Sequence, residues 1–152
     1  MADAGAATAA GRTGSALRAL VRLVRRGGLP AVRTALWTGL AVRSVRRQLT
    51  RRDLASVRLP AAPPGAGAHR QVVLGVLRRT DANCLQRSLV LQRWYAGQRI
   101  RRAVVIGVTP PSTGFHAHAW LDGETDAERE EMTEILRRPT PEHWLAGPGQ
   151  AR

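Results

Sequence analysis

Apolar positions recur along the chain in several rhythms, and each rhythm predicts an element. Leu17, Leu20, Val21 and Val24 fall at i, i+3, i+4 and i+7, the spacing of one helix face. Ser15 stands where it can cap that helix and Gly27-Gly28 where they can end it. A second helical rhythm runs from about Ala31 to Leu49, with Val32, Leu36, Leu40 and Val45 on one side and Arg33, Arg43, Arg46 and Arg47 elsewhere. His69–Arg79 predicts a short helix broken at Thr80-Asp81. The next helix is predicted from Cys84 to about Ala96, apolar at Leu85, Leu89, Leu91 and Tyr95, with Asn83 as N-cap and Gly97 just past the end. Ala103–Val108, "AVVIGV", is a continuous β-branched run, the pattern of a strand buried on both faces. "FHAHAWL", Phe115–Leu121, alternates instead, which places His116, His118 and Trp120 on one face of a second strand. Asp122-Gly123 is a turn signal. Thr125 and Glu128 then form a capping-box pattern that predicts a helix to about Arg138, stopped by Pro139 and Pro141.

Residues 1–14 are small and polar and predict disorder. The aperiodic "PAAPPGAGA", residues 60–68, predicts a linker between a basic helical region, 15–59, and a C-terminal domain, 69–152. Helices followed by helix, strand and strand predict an α+β fold with a small antiparallel sheet.

Charge changes the picture of the first region. All 24 basic residues are arginine against 11 acids, for a formal net charge of +13. Residues 1–60 carry twelve arginines against only Asp3 and Asp53, so the basic field belongs to the N-terminal helices. Such a field attracts acidic partners, whether nucleic acid, an anionic membrane or an acidic peptide, although a solvated helix face gives the same composition. Trp37 is the only aromatic in the basic region and no nucleic-acid reader motif accompanies it, which argues against nucleic acid. The single cysteine excludes an internal disulfide and fits a reducing compartment. The first residues lack the basic and apolar regions of a secretory signal. "TALWTGLAV", the longest arginine-free run of the basic region, is about half a membrane span. A cytoplasmic location is therefore expected.

The lone cysteine raises the question of chemistry. In the first turn of a helix, unpaired N–H groups and the helix dipole favour a thiolate, and the same N–H groups stabilise an oxyanion on a carbonyl under attack. A histidine on a strand packed against that helix would supply the base. Both His116 and His118 are candidates. The plainer alternative is a buried cysteine that only packs.

Five matches in order break this tie. Cys84-Leu85, Arg87-Ser88-Leu89, Gly97, Ile106-Gly107-Val108 and Ala117-His118-Ala119-Trp120 resemble the transglutaminase-like leader peptidases of lasso-peptide biosynthesis. The resemblance covers residues 69–123 closely and the basic helices more loosely. It implies a papain-like cysteine peptidase core that removes the leader from a ribosomally made precursor, with Cys84 as nucleophile and His118 as general base and acid. His116 falls at a variable position of the motif, about 7 Å along the strand. The resemblance implies no cofactor or metal. It implies three partners: the precursor peptide, a separate leader-binding recognition protein and an ATP-dependent macrolactam-forming enzyme.

Where the family has an orienting acid on the strand after the histidine, this sequence departs from it. Asp126 is the candidate, although a tight hairpin at Asp122-Gly123 would set it opposite Ala119, on the other face. Asp122 itself would lie about 13 Å from His118 along an extended strand. Glu128 and Glu130 fall in the predicted capping-box helix. The competing function is a non-catalytic basic module on a degenerate fold of this type, gripping an acidic peptide, nucleic acid or a membrane surface.

Overall fold

The structure, a computed structural model, describes residues 6–110, 114–124 and 132–145, with side chains from residue 27 onward. Helix α1 spans Ala6–Leu49 and is followed by a 3₁₀ turn, Ala66–His69, that leads directly into α2, Arg70–Arg79. Helix α3 spans Cys84–Ala96. Strands β1, Val104–Val108, β2, Ala117–Leu121, and β3, Thr133–Arg138, come next, and then the short α4, Glu142–Leu145. The architecture is α+β, as the pattern predicts.

The two helical rhythms of the first region meet within α1. Gly28, at φ 60° and ψ −162°, breaks the helix where the sequence predicts a boundary. The helix begins at Ala6, however, inside the segment predicted to be disordered. Of the four apolar positions expected on one side, Val45 is buried and Val32 half-buried, but the other two are not. Leu36 and Leu40 face solvent, while Ala31, Thr34, Trp37, Thr38, Ala41, Val42 and Val45 are buried. Small residues on this side let α2, α3 and the 3₁₀ turn approach closely. The buried hydroxyls satisfy themselves within the helix, Thr34 Oγ1 donating to Pro30 O and Thr38 Oγ1 to Thr34 O, both at 2.8 Å.

Both regions that flank residues 60–68 contribute to one core. One apolar core runs from Trp37, Val42 and Val45 through Val73, Leu77, Leu89, Leu91 and Trp94 to Val104, Leu121 and Trp144. The predicted linker is stitched into it: Trp94 Nε1 donates to Ala66 O at 2.9 Å, and Trp37 Nε1 to Pro60 O at 3.3 Å. A Pro/Gly/Ala composition signals an irregular backbone, but side chains from two helices take up its carbonyls.

Helix α3 is the central element, buried at Ser88–Trp94 and at Ala96. Its C-terminus departs from expectation. Gly97 keeps right-handed dihedrals, and the left-handed position is Arg99, at φ 60°. Ile100 N–H bonds Tyr95 O and Arg99 N–H bonds Ala96 O, the paired bonds of a Schellman close.

The sheet order is β2-β1-β3, antiparallel throughout. Strand β3 replaces the helix predicted up to Arg138; the Thr125–Glu131 part of that prediction lies outside the described residues. Nor is there a tight hairpin at Asp122-Gly123 joining successive strands, because β3 pairs with the far edge of β1. Arg138 at the end of β3 and Arg93 of α3 are buried beside Trp144, their guanidinium carbons 4.9 and 5.1 Å from its ring centroid. Carbonyl oxygens accept from both: Arg93 donates to Leu59 O, Pro60 O and Trp144 O, and Arg138 to Val57 O and Gln92 Oε1. Burial pulls both guanidinium groups down from the ordinary arginine range.

Candidate active site

Cys84 is the first residue of α3 and is half-buried. The turn that presents it is set by a reciprocal capping box: Gln86 N–H donates to Asn83 Oδ1 at 2.9 Å, and Asn83 N–H to Gln86 Oε1 at 3.4 Å. Sequence pattern gives Asn83 as the cap; the return bond from Gln86 completes it. With Arg87 N–H taken by Asn83 O, the N–H groups of Cys84 and Leu85 have no acceptor within the helix. They are the donors available to an incoming carbonyl oxygen.

The capping box is braced from α1. Arg46 Nε donates to Gln86 Oε1 at 3.0 Å, and its Nη2 reaches Asp81 O at 3.1 Å and also Thr80 O. These carbonyls belong to a turn in which Asp81 takes φ 47°, an uncommon value for a residue with a side chain. Arg46 is the residue that sequence reasoning misses here. In the sequence it is one of many arginines, and only the fold shows that it spans 40 residues to the Cys84 turn.

His118 lies half-buried in β2, its ring stacked with Trp120 at 6.2 Å and 17° between planes. Helix α3 packs against β2. A side-chain bond also ties the two elements. Ser88, one helical turn after Cys84 on the same face, donates Oγ to Ala119 O at 3.1 Å, next in sequence to His118. His116 precedes the strand and is exposed, its backbone paired with Thr109.

The acids sort differently. Asp126, Glu128 and Glu130 lie outside the described residues. Asp122 closes the far end of the β1–β2 pair, Oδ1 accepting from Ala103 N–H at 2.8 Å and Oδ2 from Arg137 at 3.1 Å. Glu124 accepts from Tyr95 Oη and Arg70. Glu134, hidden from sequence reasoning by the predicted helix, is in line with His118. Gly107 is the cross-strand partner of His118 on one side and of Glu134 on the other. Arg137 grips Glu134 through two bonds, 2.7 and 2.9 Å, and holds its carboxyl below the usual carboxylate range. Gly107 itself has no room for a side chain, since a Cβ there would meet the Trp120 ring at 2.7 Å.

Among the described residues no group of three or more His, Cys, Asp or Glu is placed to hold a metal ion, and no helix is long and apolar enough to cross a membrane. The model of one protein family, described as the transglutaminase-like superfamily, matches residues 28–137. That match starts at the Gly28 break in α1 and runs almost to the end of β3, so it takes in the part of α1 beyond the break, Cys84, His118 and nearly all of the three strands. No curated protein and no solved structure matches the chain.

Proposed function

This chain belongs to the transglutaminase-like superfamily, and from that premise we propose that it is a cysteine endopeptidase that removes the leader from a lasso-peptide precursor. The observation that carries the reading is the tie between α3 and β2: a cysteine at the first position of a capped helix, fastened one turn later to the strand that bears His118.

In this reading the Cys84 sulfur adds to the carbonyl carbon of the scissile peptide bond, and the N–H groups of the first turn receive the oxyanion. The C–N bond breaks as His118 passes a proton to the departing amine, which leaves a thioester on Cys84. His118 then takes a proton from water, whose oxygen attacks the thioester and frees the carboxylate with the thiol restored. Trp120 lies beside His118 with its ring nearly parallel, the centroids 6.2 Å apart. Asp126 is the proposed orienting acid on the resemblance to lasso-peptide leader peptidases, and Glu134 is the alternative on strand register. The proposed partners are the precursor peptide, a separate leader-binding protein and the macrolactam-forming enzyme.

The test incubates purified protein with leader-binding partner and precursor and follows leader release by mass. Cys84→Ala and His118→Ala are expected to abolish release; undiminished cleavage by Cys84→Ala would remove the nucleophile assignment. Asp126→Asn and Glu134→Gln distinguish the two acids: loss of the orienting one is expected to lower kcat by orders of magnitude, the other to leave it within about threefold. Iodoacetamide labelling at pH 6 supplies a readout independent of substrate, and is expected to be rapid at Cys84.

A further inference from the structure

Leu29, Leu36 and Leu40 are 65, 64 and 65% exposed, on the side of α1 opposite the buried line of Thr34, Thr38, Ala41 and Val45. Arg33, Arg43 and Arg47 are exposed as well. The six positions 29, 33, 36, 40, 43 and 47 are separated by steps of four, three, four, three and four. That is the 3.5-residue repeat of a coiled-coil seam, carried on the single helical segment beyond the Gly28 break. Its length, about 27 Å at 1.5 Å per residue, is that of an ordinary helix–helix contact. Among the described residues the rest of the fold does not use this face: the contacts of α1 with α2, α3 and the 3₁₀ turn come from the opposite side.

We propose that the Leu29–Arg47 seam docks an acidic amphipathic helix of a partner protein, with apolar residues against the three leucines and carboxylates against the three arginines. Charge decides the occupant. A second copy aligned in parallel opposes each arginine to itself. A centred antiparallel copy matches Leu36 with Leu40 but sets Arg33 against Arg43, and like charges facing across a seam repel. An anionic bilayer is the poorer fit too, because interfacial helices keep their basic residues on the polar face, whereas here the arginines stand in the apolar line. Residues 4–52 contain no acid at all, so α1 cannot satisfy these arginines from its own sequence. A partner helix with carboxylates in register answers all three observations. This inference does not depend on the peptidase reading.

The experiment uses the full chain and a fluorescent synthetic helix of three heptads, with Leu opposite positions 29, 36 and 40 and Glu opposite 33, 43 and 47. A second peptide of the same composition has the seam scrambled, and binding is read by anisotropy. The seam peptide is expected to bind, more weakly as salt rises, and the scrambled one to bind at least tenfold less well by about the value of losing a leucine contact. Leu36→Asp is expected to weaken seam binding by about tenfold or more. Arg43→Glu is expected to weaken it, with recovery when the facing Glu becomes Lys. Both side chains are exposed, and unchanged melting curves would show that the fold survives. Equal affinity for the two peptides, or indifference to Leu36→Asp, overturns the proposal. So does sedimentation that finds a dimer dispersed by Leu36→Asp, or binding to phosphatidylserine vesicles, dispersed by the same change, without binding of the seam peptide.

Discussion

Strands β2 and β3 flank the same central strand with the same antiparallel geometry, yet one is core and the other is surface. In β2, Ala119, Trp120 and Leu121 are buried, Leu121 in the core that α3 shares; in β3 every residue but Arg138 is exposed, including Ile135 and Leu136. Hydrogen bonding to β1 is therefore not what separates them. The difference lies in what covers each strand: α3 lies along β2 and holds it through the Ser88–Ala119 bond. A strand gains burial from the layer across its face, and here the covered strand is also the one that carries His118.

The largest expected contrast is energetic. Leu121→Ala should cost about 2–5 kcal/mol by leaving a cavity in the core, and Ile135→Ala should stay within about 0.5 kcal/mol, both read from urea midpoints. Equal losses would mean that β3 is covered after all. Next comes the tie itself. Ser88→Ala should cost about 1 kcal/mol and speed amide exchange in β2 while leaving β3 unchanged, the signature of β2 losing the hold that separates it from β3. Exchange that rises equally in both strands would assign the bond a merely global role.

The smallest effect concerns the point where β3 does enter the core, through Arg138 beside Trp144. Neighbouring His143 is pushed below its ordinary value near 6.5 by burial first and then by Arg58, Arg93 and Arg138. The unfolded chain therefore takes up this proton before the folded one does. The stability tied to the neutral ring is present above pH 6.5 and is lost as pH falls from there through the lower folded value. His143→Gln should flatten this slope of melting temperature against pH. Glu134 and Glu142, whose carboxyls are depressed by Arg137 and Arg101, lose their contribution only at more acid pH. A slope unchanged by the substitution would place its source elsewhere.

Much of the central machinery is legible in the chain because it is local. Asn83 before Cys84 marks a helix start, and α3 begins there; the β-branched run and the alternating run are strands β1 and β2. What eludes sequence reasoning is non-local. Thr133–Arg138 follows a capping-box signal and reads as the end of a helix, but pairing with β1 overrides that propensity. The inner face of α1 is hard to read because four of its seven buried positions are alanines or threonines, the threonine hydroxyls being satisfied by the helix itself. The same substitution of roles turns Leu36 and Leu40 outward. Within the candidate site, order along the chain singles out Cys84 and His118, whereas Glu134 in line with His118 and Arg46 behind the capping box emerge only from tertiary structure.

Two guanidinium groups beside one indole, with carbonyls and an amide as their partners, also bear on synthesis. Arg93 is translated 51 residues before the Trp144 carbonyl that completes its coordination. Until that tryptophan has cleared the ribosome, the Arg93 guanidinium lacks one of the carbonyls that replace its water. The helix that presents Cys84 therefore reaches its final packing only after Trp144 has emerged.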